Sequence, residues 1–437
     1  MSGASAQTLR QLHDAIDSGA LTIRVTGSIS CPHDLLLPPG AEIIGDGPDA
    51  GIYFTESGGI GLTKDNSVRT LRIVTAASAR SIFLRAGTPD LGTITLEDLT
   101  VVGQIGLVTR VGTEKGRVSA RNVHVGFADA RRFLEQPQKY GVNVLQGAFT
   151  LFNQNGSTSS RLTATLENIS AGSASAPVLG SGVFVGGFGD SGGTLDIDRL
   201  TTGEVHSTGM LPFGVADFIT GGVFVLFGCT VDELMNEGPV RTYGVNDMVL
   251  DNWGHVRNWV AKNAIESFGP SGIGFVNFGT VDQFRAQAPI VTRGLGARGF
   301  NQYDGTVESL QLHSIETFGD GSIGAQISKP VGTIRVDAFI RTHGGVGPSL
   351  VKGVITELAA EAFSVKPGGQ VRNLIVGGDI STDGENVDAF CVDGGKVDQM
   401  SVGGQILANG KGSQPTRVEN GGRAPLAEQQ RLPAEQT

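Results

Sequence analysis

The stretch from Val240 to Gly344 repeats one short phrase, and this repeat decides the fold. The phrase is a hydroxyl residue, one variable residue and a glycine. It occurs five times at a constant spacing of 25 residues, as Thr242-Tyr-Gly244, Ser267-Phe-Gly269, Thr292-Arg-Gly294, Thr317-Phe-Gly319 and Thr342-His-Gly344. A repeat of this length is typical of stacked architectures, in which each unit buries its apolar face against its neighbours.

The residues before each phrase indicate that one unit is one turn of a β-solenoid. A β-branched residue precedes the hydroxyl by two positions in every copy, as Val240, Ile265, Ile290, Ile315 and Ile340. Alternation of buried and outward residues is the pattern of a strand with one apolar face. Stacking therefore predicts an interior aliphatic ladder beside a ladder of Thr and Ser. We expect the glycine to supply a corner with positive φ.

Composition supports an all-β chain and excludes several other classes. The 437 residues include 66 Gly and 17 Pro, without the three-residue period of collagen. A net charge of −10 argues against a nucleic-acid partner. No basic leader with an apolar run opens the chain, and no stretch of ~20 apolar residues occurs, so we expect no membrane partner. The three cysteines, Cys31, Cys229 and Cys391, are widely spaced, which predicts reduced thiols and a cytoplasmic location.

The first ~50 residues contain a predicted helix followed by two glycine corners. Apolar positions at helical spacing between Ala6 and Gly19 predict the short helix. The corners are Leu37-Pro-Pro-Gly40 and Ile43-Ile-Gly-Asp-Gly47. This order resembles the opening of right-handed parallel β-helix proteins of the pectin-lyase-like kind. The resemblance implies an all-β fold: a single-stranded right-handed parallel β-helix, or β-solenoid, with a short N-terminal capping helix.

The predicted organisation is a capping helix in residues 1–20, a β-helix domain in residues 21–410 and a mobile C-terminal tail in residues 411–437. Insertions are expected near residues 127–141, 153–161 and 210–222. The first contains a segment of helical character, the second resembles a disordered tip, and the third is unusually apolar. An apolar insertion at one corner of a solenoid is a candidate wall for a binding groove.

The variable residues of the phrase form one predicted column on the outer surface, hereafter the column: Tyr243, Phe268, Arg293, Phe318 and His343. Aromatic residues with polar neighbours suit the binding of sugar rings. We therefore assign the column, together with Trp253, as candidate substrate-binding residues. The alternative is that the aromatic residues stabilise the stack or are covered by a second chain.

Carboxylates near the column are the candidate catalytic residues. Glu266 and Glu316 occupy the same outward position two units apart, which corresponds to about 9.6 Å between their Cβ atoms. That distance lies near the upper end for an inverting glycosidase pair. The alternative is that Arg241 and Arg341 hold them in ordinary ion pairs.

Four aspartates complete the candidates. Asp217 has apolar sequence neighbours that could desolvate it and so suit it to act as a general acid. As a turn or capping aspartate it would have no such role. Asp247, Asp251 and Asp304 follow the phrase on the next strand and could face the same groove.

These observations predict a carbohydrate-active enzyme that cleaves or rearranges a glycosidic bond of an oligo- or polysaccharide by carboxylate acid/base catalysis. The dispersed histidines predict no metal site, and no cofactor is implied. One alternative is a non-catalytic β-helix of the fibre or adhesion type, in which the column packs a homotrimer. Another is a uronate lyase or epimerase, for which Arg293 is the indication.

Overall fold

The computed structural model describes residues 3–189, 191–351 and 354–425. They form two compact units, where the sequence predicts one β-helix domain over residues 21–410. Of the described residues, the N-terminal unit contains 3–139, 143–189, 191–210 and 219–238, and the C-terminal unit contains 140–142, 211–218, 239–351 and 354–425. The structure is nearly all β, with one helix among the described residues.

The N-terminal unit is built on two long parallel ladders, in which each strand pairs with the next. The first ladder comprises Gly3–Ala6, Thr22–Val25, Glu42–Gly45, Ser67–Val74, Asp90–Val102, Lys115–Phe127, Arg161–Ala171, Thr194–Thr208 and Cys229–Asn236. The second comprises Leu35–Leu36, Ile60–Leu62, Arg80–Leu84, Gln104–Thr109, Gly147–Asn153, Ser181–Gly186 and Phe218–Val225. The shorter strands are Ser28–Cys31, Gly51–Phe54, Gln138–Lys139, Val142–Val144 and Val178–Leu179.

The helix of the N-terminal unit spans Leu9–Asp17 and has a capping box at its start. Thr8 Oγ1 accepts a hydrogen bond from the Gln11 backbone N–H at 3.3 Å, and Gln11 Oε1 accepts one from the Thr8 N–H at 3.2 Å. These two bonds satisfy amides that lack an intrahelical partner. Leu12 is buried, as the helical spacing predicts. The predicted helix is therefore confirmed, although the strand Gly3–Ala6 precedes it.

The C-terminal unit contains three parallel ladders, and each 25-residue repeat supplies one strand to each of them. The first comprises Val240–Thr242, Ile265–Ser267, Ile290–Thr292, Ile315–Thr317, Ile340–Thr342, Ile380–Thr382 and Ile406–Ala408. The second comprises Asp247–Asn252, Ile273–Asn277, Arg298–Gln302, Ile323–Ile327, Phe363–Val365, Phe390–Asp393 and Thr416–Glu419. The third comprises His255–Ala261, Thr280–Ala286, Thr306–Leu312, Pro330–Val336, Gln370–Val376 and Lys396–Val402.

The core of the C-terminal unit follows the predicted ladders. Up to the strand Ile380–Thr382, the isoleucines of the first ladder and the hydroxyl residues two positions later are buried. Thr317 Oγ1 donates to the Ser322 carbonyl at 2.7 Å, so this buried hydroxyl closes the corner that follows it. A ladder of buried amides that the repeat did not predict joins Asn252 to Asn277 at 2.8 Å and Asn277 to Gln302 at 3.1 Å.

The glycine of the phrase is required for a reason other than the predicted one. Gly269, Gly294, Gly319 and Gly344 do not have positive φ. A Cβ atom on Gly269 would instead lie 1.8 Å from the Gly244 carbonyl oxygen, and one on Gly344 would lie 1.9 Å from that of Gly319. Close stacking of successive corners therefore excludes any side chain at this position.

Two predicted insertions differ in conformation from expectation. Residues 128–135 contain turns and no helix, because the Asp129 carboxylate binds the backbone N–H and guanidinium of Arg131. The predicted disordered tip near residues 153–161 is ordered. Asn155 Nδ2 and Ser160 Oγ both donate to the Thr113 carbonyl, at 2.6 and 2.8 Å.

The C-terminal end of the described chain also differs from expectation. Thr416–Glu419 is a strand of the second ladder, where the sequence predicts a mobile tail over residues 411–437. The Arg417 guanidinium binds Glu361 at 2.8 Å and Asp388 at 2.6 Å, which anchors this strand. Residues 426–437 of that predicted tail lie outside the described residues.

An antiparallel hairpin interrupts the repeat in the C-terminal unit. Val346–Val351 pairs with Val354–Ala359. The hairpin separates two strands that are neighbours in the first ladder, because Thr342 is paired with Thr382. The interval between equivalent residues therefore increases from 25 to 40 at this point.

Candidate functional site

The predicted column forms one continuous stack on the surface of the C-terminal unit. The ring centroids of Tyr243 and Phe268 lie 5.2 Å apart with an interplanar angle of 10°. The guanidinium of Arg293 lies 5.9 Å from the Phe268 ring and 4.9 Å from the Phe318 ring. Phe318 and His343 are stacked at 4.6 Å and 15°. Each of these five residues therefore contacts its neighbour in the column.

The exposure of the column limits how it can meet a ligand. Phe268 and Phe318 are each 38% exposed, so the column is accessible over its length. The faces of the rings, however, are turned toward one another, and their edges face outward. A sugar ring therefore meets aromatic edges and the polar atoms between them, rather than the open aromatic face that we expected.

His343 lies between two carboxylates at one end of the column. Its Nε2 atom is 2.9 Å from Glu316 Oε1, and its Nδ1 atom is 2.8 Å from Asp383 Oδ2. The side chains of His343 and Glu316 are both 28% exposed, and that of Asp383 is 38% exposed. We refer to these three residues as the His343 cluster. Asn409 Nδ2 donates to the other oxygen of Asp383 at 2.8 Å and so holds it in place.

The geometry of the His343 cluster sets its proton content. A neutral imidazole has one N–H donor, whereas each ring nitrogen here faces a carboxylate oxygen. Both contacts are hydrogen bonds only if the three groups share two protons, either both on the ring or one on the ring and one on a carboxyl. The cluster can therefore place a proton between His343 and Glu316.

Glu266, two repeats away on the same ladder, has a different partner. Its carboxylate is 2.5 Å from Arg241 Nε, which confirms the ion pair anticipated as the alternative. The prediction of a corresponding ion pair between Glu316 and Arg341 is wrong. Although the two residues are in register on adjacent strands, Arg341 Nε lies 3.4 Å from Ser381 Oγ, and His343 binds Glu316 instead.

Three predicted aspartates lie away from the exposed column. Asp247 is buried, and its carboxylate accepts the Gly244 N–H at 2.6 Å, so it supports a corner. Asp251 is fully buried beside Val276, and burial raises the pKa of its carboxyl well above the usual range. Asp304 lies at a different corner, 3.7 Å from Lys329 Nζ.

Trp253 is also separate from the column, although it was predicted to bind substrate with it. It is 4% exposed and packs edge-on against Tyr140 at 5.2 Å and Phe278 at 5.7 Å. This corner follows the strand Asp247–Asn252, whereas the column residue Tyr243 precedes that strand. Trp253 therefore stabilises a second aromatic cluster.

The burial predicted for Asp217 is wrong. Asp217 is exposed, because the apolar neighbour that was expected to cover it, Phe213, is itself 57% exposed. The backbone of this segment is held instead by Asn246 Nδ2, which donates to the Val215 carbonyl at 2.7 Å. The segment packs on the corner after Tyr243 without desolvating the carboxylate.

Asp383 is the functional candidate that the sequence reasoning missed. It follows Thr382 and precedes Gly384, so it occupies the variable position of a sixth phrase. The hairpin delays that phrase, and a search at a constant spacing of 25 residues does not find it. Allowing for an insertion after Gly344 would have placed Asp383 next to His343.

The remaining sites that the sequence considered are consistent with structural roles. Cys31, Cys229 and Cys391 are free and buried, and burial raises the pKa of Cys391 to about 12, so this thiol is unreactive. The described residues contain no group of three His, Cys, Asp or Glu side chains arranged to hold a metal ion. Among them, no helix has the length and apolar character needed to cross a membrane.

No protein-family model, curated protein or solved structure matches this chain.

Proposed function

We propose that the chain is a right-handed parallel β-helix whose column and His343 cluster form a carbohydrate-active site. Three parallel ladders with one strand per 25-residue repeat support the β-helix, and parallel crossover connections are right-handed in nearly all proteins. The reaction that fits the residues is cleavage of a glycosidic bond by two carboxylates.

The observation that carries this proposal is the position of His343 between Glu316 and Asp383. A glycosidase needs one carboxyl that donates a proton to the leaving oxygen and one carboxylate that accepts a proton from water. Glu316 shares protons with the histidine, which suits it to be the acid. Glu266 lies beside a guanidinium that is always charged, which suits it to be the base.

The spacing of the two glutamates fits inversion at the anomeric carbon. They are two strands apart in the ladder, with Val291 between them. The strand spacing gives about 9.6 Å between their Cβ atoms, which leaves room for a water molecule beside the sugar. In the proposed reaction Glu316 protonates the glycosidic oxygen as the bond to the anomeric carbon breaks. Glu266 takes the proton from the water that attacks the opposite face.

A screen for turnover tests this proposal. Purified protein is incubated with a panel of neutral and acidic oligosaccharides, and new products are detected by mass spectrometry. We expect a product whose mass corresponds to the addition of one water molecule. A product formed without addition of water would instead indicate a lyase. The absence of a product from every member of a broad panel would contradict the proposal that the chain is an enzyme.

The stacked rings specifically favour a second candidate, a non-catalytic fibre or adhesion segment. Because ring faces are used within the column, exposed edges at Phe268 and Phe318 could pack against a second copy of the chain. Light scattering on the wild type and on Phe268→Lys distinguishes the candidates. A trimer that dissociates in this variant would support the structural role, whereas a monomer in both would contradict it.

A further inference from the structure

The N-terminal unit contains a cavity rich in arginine, far in sequence from the column. Its volume is about 250 Å³. Three guanidinium groups line it over an apolar floor, and we name it the arginine cavity for Arg80, Arg85, Arg110, Phe83, Gly106 and Val108. This concentration of positive charge is notable in a chain of net charge −10.

The arginine cavity is built by specific contacts rather than by flexible surface side chains. Arg80 is 20% exposed, donates to Gln104 Oε1 at 3.0 Å and lies 4.4 Å from the Phe133 ring. A Cβ atom at Gly106 would lie 2.8 Å from Arg80 Nε, so the glycine leaves the space that the guanidinium occupies. The arginine is thereby fixed across the strand.

Two of the lining arginines already bind one carboxylate, and the third leaves positive charge at the cavity. Glu135 is 11% exposed, lies 2.8 Å from Arg80 Nη2 and also contacts Arg110. Arg85 is exposed and forms no ion pair with any residue that the structure describes. Three guanidinium groups therefore line the cavity, and only one carboxylate contacts two of them, which leaves net positive charge.

A second cavity of about 510 Å³ adjoins the first and shares Arg85 with it. Lys64 lines this cavity, as does Asp90, whose carboxylate lies 3.6 Å from both Lys64 Nζ and Lys115 Nζ. At each cavity, lining residues therefore take part in a contact between one carboxylate and two cations. Arg85 lies where they meet.

We propose that the two cavities together bind an acidic oligosaccharide, with Arg85 contacting a carboxylate of the ligand. The anionic group follows from the excess of guanidinium and ammonium groups, and guanidinium geometry matches a carboxylate. The assignment of the ligand as a saccharide rests on the proposed function. Two adjoining cavities of these volumes suit successive sugar units, each of which brings its own anionic group.

Binding of a trisaccharide of uronic acid, measured by isothermal titration calorimetry, tests the inference. The same trisaccharide with its carboxyl groups reduced to alcohols is the matched neutral ligand. We expect the acidic form to bind at least about tenfold more tightly, because charge-assisted hydrogen bonds are lost on reduction. We also expect its affinity to fall as salt is added. Equal affinity for the two forms would overturn the inference.

Arg85→Gln is the variant that tests the site, since the side chain is exposed and its loss should not affect folding. We expect it to weaken binding by about tenfold. Arg372→Gln, which removes an exposed and ion-paired arginine from the C-terminal unit, is the control and should bind as the wild type does. Unchanged binding by Arg85→Gln would place the ligand elsewhere and overturn the inference.

Two further experiments complete the test. The first compares other anionic ligands with the trisaccharide, and the second separates the binding proposal from the catalytic one. Inorganic phosphate or single-stranded RNA that binds through Arg85 more tightly than the trisaccharide would overturn the saccharide assignment. Glu316→Gln should bind the trisaccharide normally, because Glu316 belongs to the proposed catalytic site. Loss of turnover in that variant with intact binding supports both proposals. Normal turnover with intact binding would remove the catalytic proposal alone.

Discussion

Glu266 and Glu316 occupy equivalent positions on the same ladder, but their partners differ in kind. Arg241, which binds Glu266, presents a guanidinium, whereas His343, which binds Glu316, presents an imidazole that also contacts Asp383. The stacked repeat thus places one carboxylate in an ion pair with a guanidinium and the other in hydrogen-bonding contact with an imidazole. The difference shows that position in a repeat does not determine chemistry, since one neighbouring residue changes it.

The largest expected effect is that of replacing Glu316, the proposed general acid, with glutamine. Glu316→Gln should lower kcat on a responsive oligosaccharide by at least about 10³-fold, because a carboxamide cannot donate the proton that the leaving oxygen needs. Glu308→Gln removes an ion-paired glutamate from a different ladder of the same unit and should retain activity. Similar rates in both variants would exclude Glu316 as the acid.

Removing His343, the partner of Glu316, should have a smaller effect. His343→Ala should lower kcat by about 10²-fold and alter the limb of the pH–rate profile that depends on the cluster. His313→Ala, which removes an exposed histidine directly after the third-ladder strand Thr306–Leu312, serves as the control. A uniform loss of rate with an unchanged pH profile would assign His343 a structural role only.

Asp251 extends the comparison to a carboxyl that is fully buried. Because its pKa is raised in the folded state, the unfolded chain releases this proton at lower pH than the folded protein does. The contribution of Asp251 to stability therefore falls as the pH rises above the unfolded pKa of about 4, until the folded pKa is reached.

Asp251→Asn removes this penalty, so its stability relative to wild type should increase between pH 4 and pH 7. Denaturant unfolding at several pH values measures the difference, with the exposed Asp46→Asn as control. Parallel pH dependence in the wild type and in Asp251→Asn would show that the buried carboxyl does not titrate as its surroundings imply.

The smallest expected effect concerns the fixed ion pair. Arg241→Gln should reduce the free energy of unfolding by no more than about 1 kcal/mol, because both partners are in contact with solvent. Thermal unfolding measures this loss. A loss of several kcal/mol would indicate that the Arg241–Glu266 pair is a structural element and would weaken its assignment to catalysis.

The sequence predicts the C-terminal unit well wherever the repeat is regular. The stacking of Tyr243, Phe268 and Arg293 follows from a constant spacing and from the period of a strand, both of which are local properties. The reason for the glycine could not be found in this way. It depends on the approach of the preceding corner, which is a tertiary contact.

The residues whose surroundings were predicted wrongly are those whose burial or position depends on other segments of the chain. Trp253 looks like a surface aromatic in the sequence, yet Tyr140, more than 100 residues earlier, buries it. Asp217 looks desolvated because its neighbours are apolar, yet its own side chain is exposed and Phe213 projects into solvent. Asp383 was hidden by the hairpin Val346–Ala359, which changes the spacing without changing the register of the ladder.

The stereochemistry of the first product tests most directly whether Glu266 and Glu316 act as base and acid across one glycosidic bond. Proton NMR at early times distinguishes the two anomers before they interconvert. The separation of two strands predicts the inverted anomer. A retained anomer would require carboxylates on adjacent strands and would contradict the assignment of this pair.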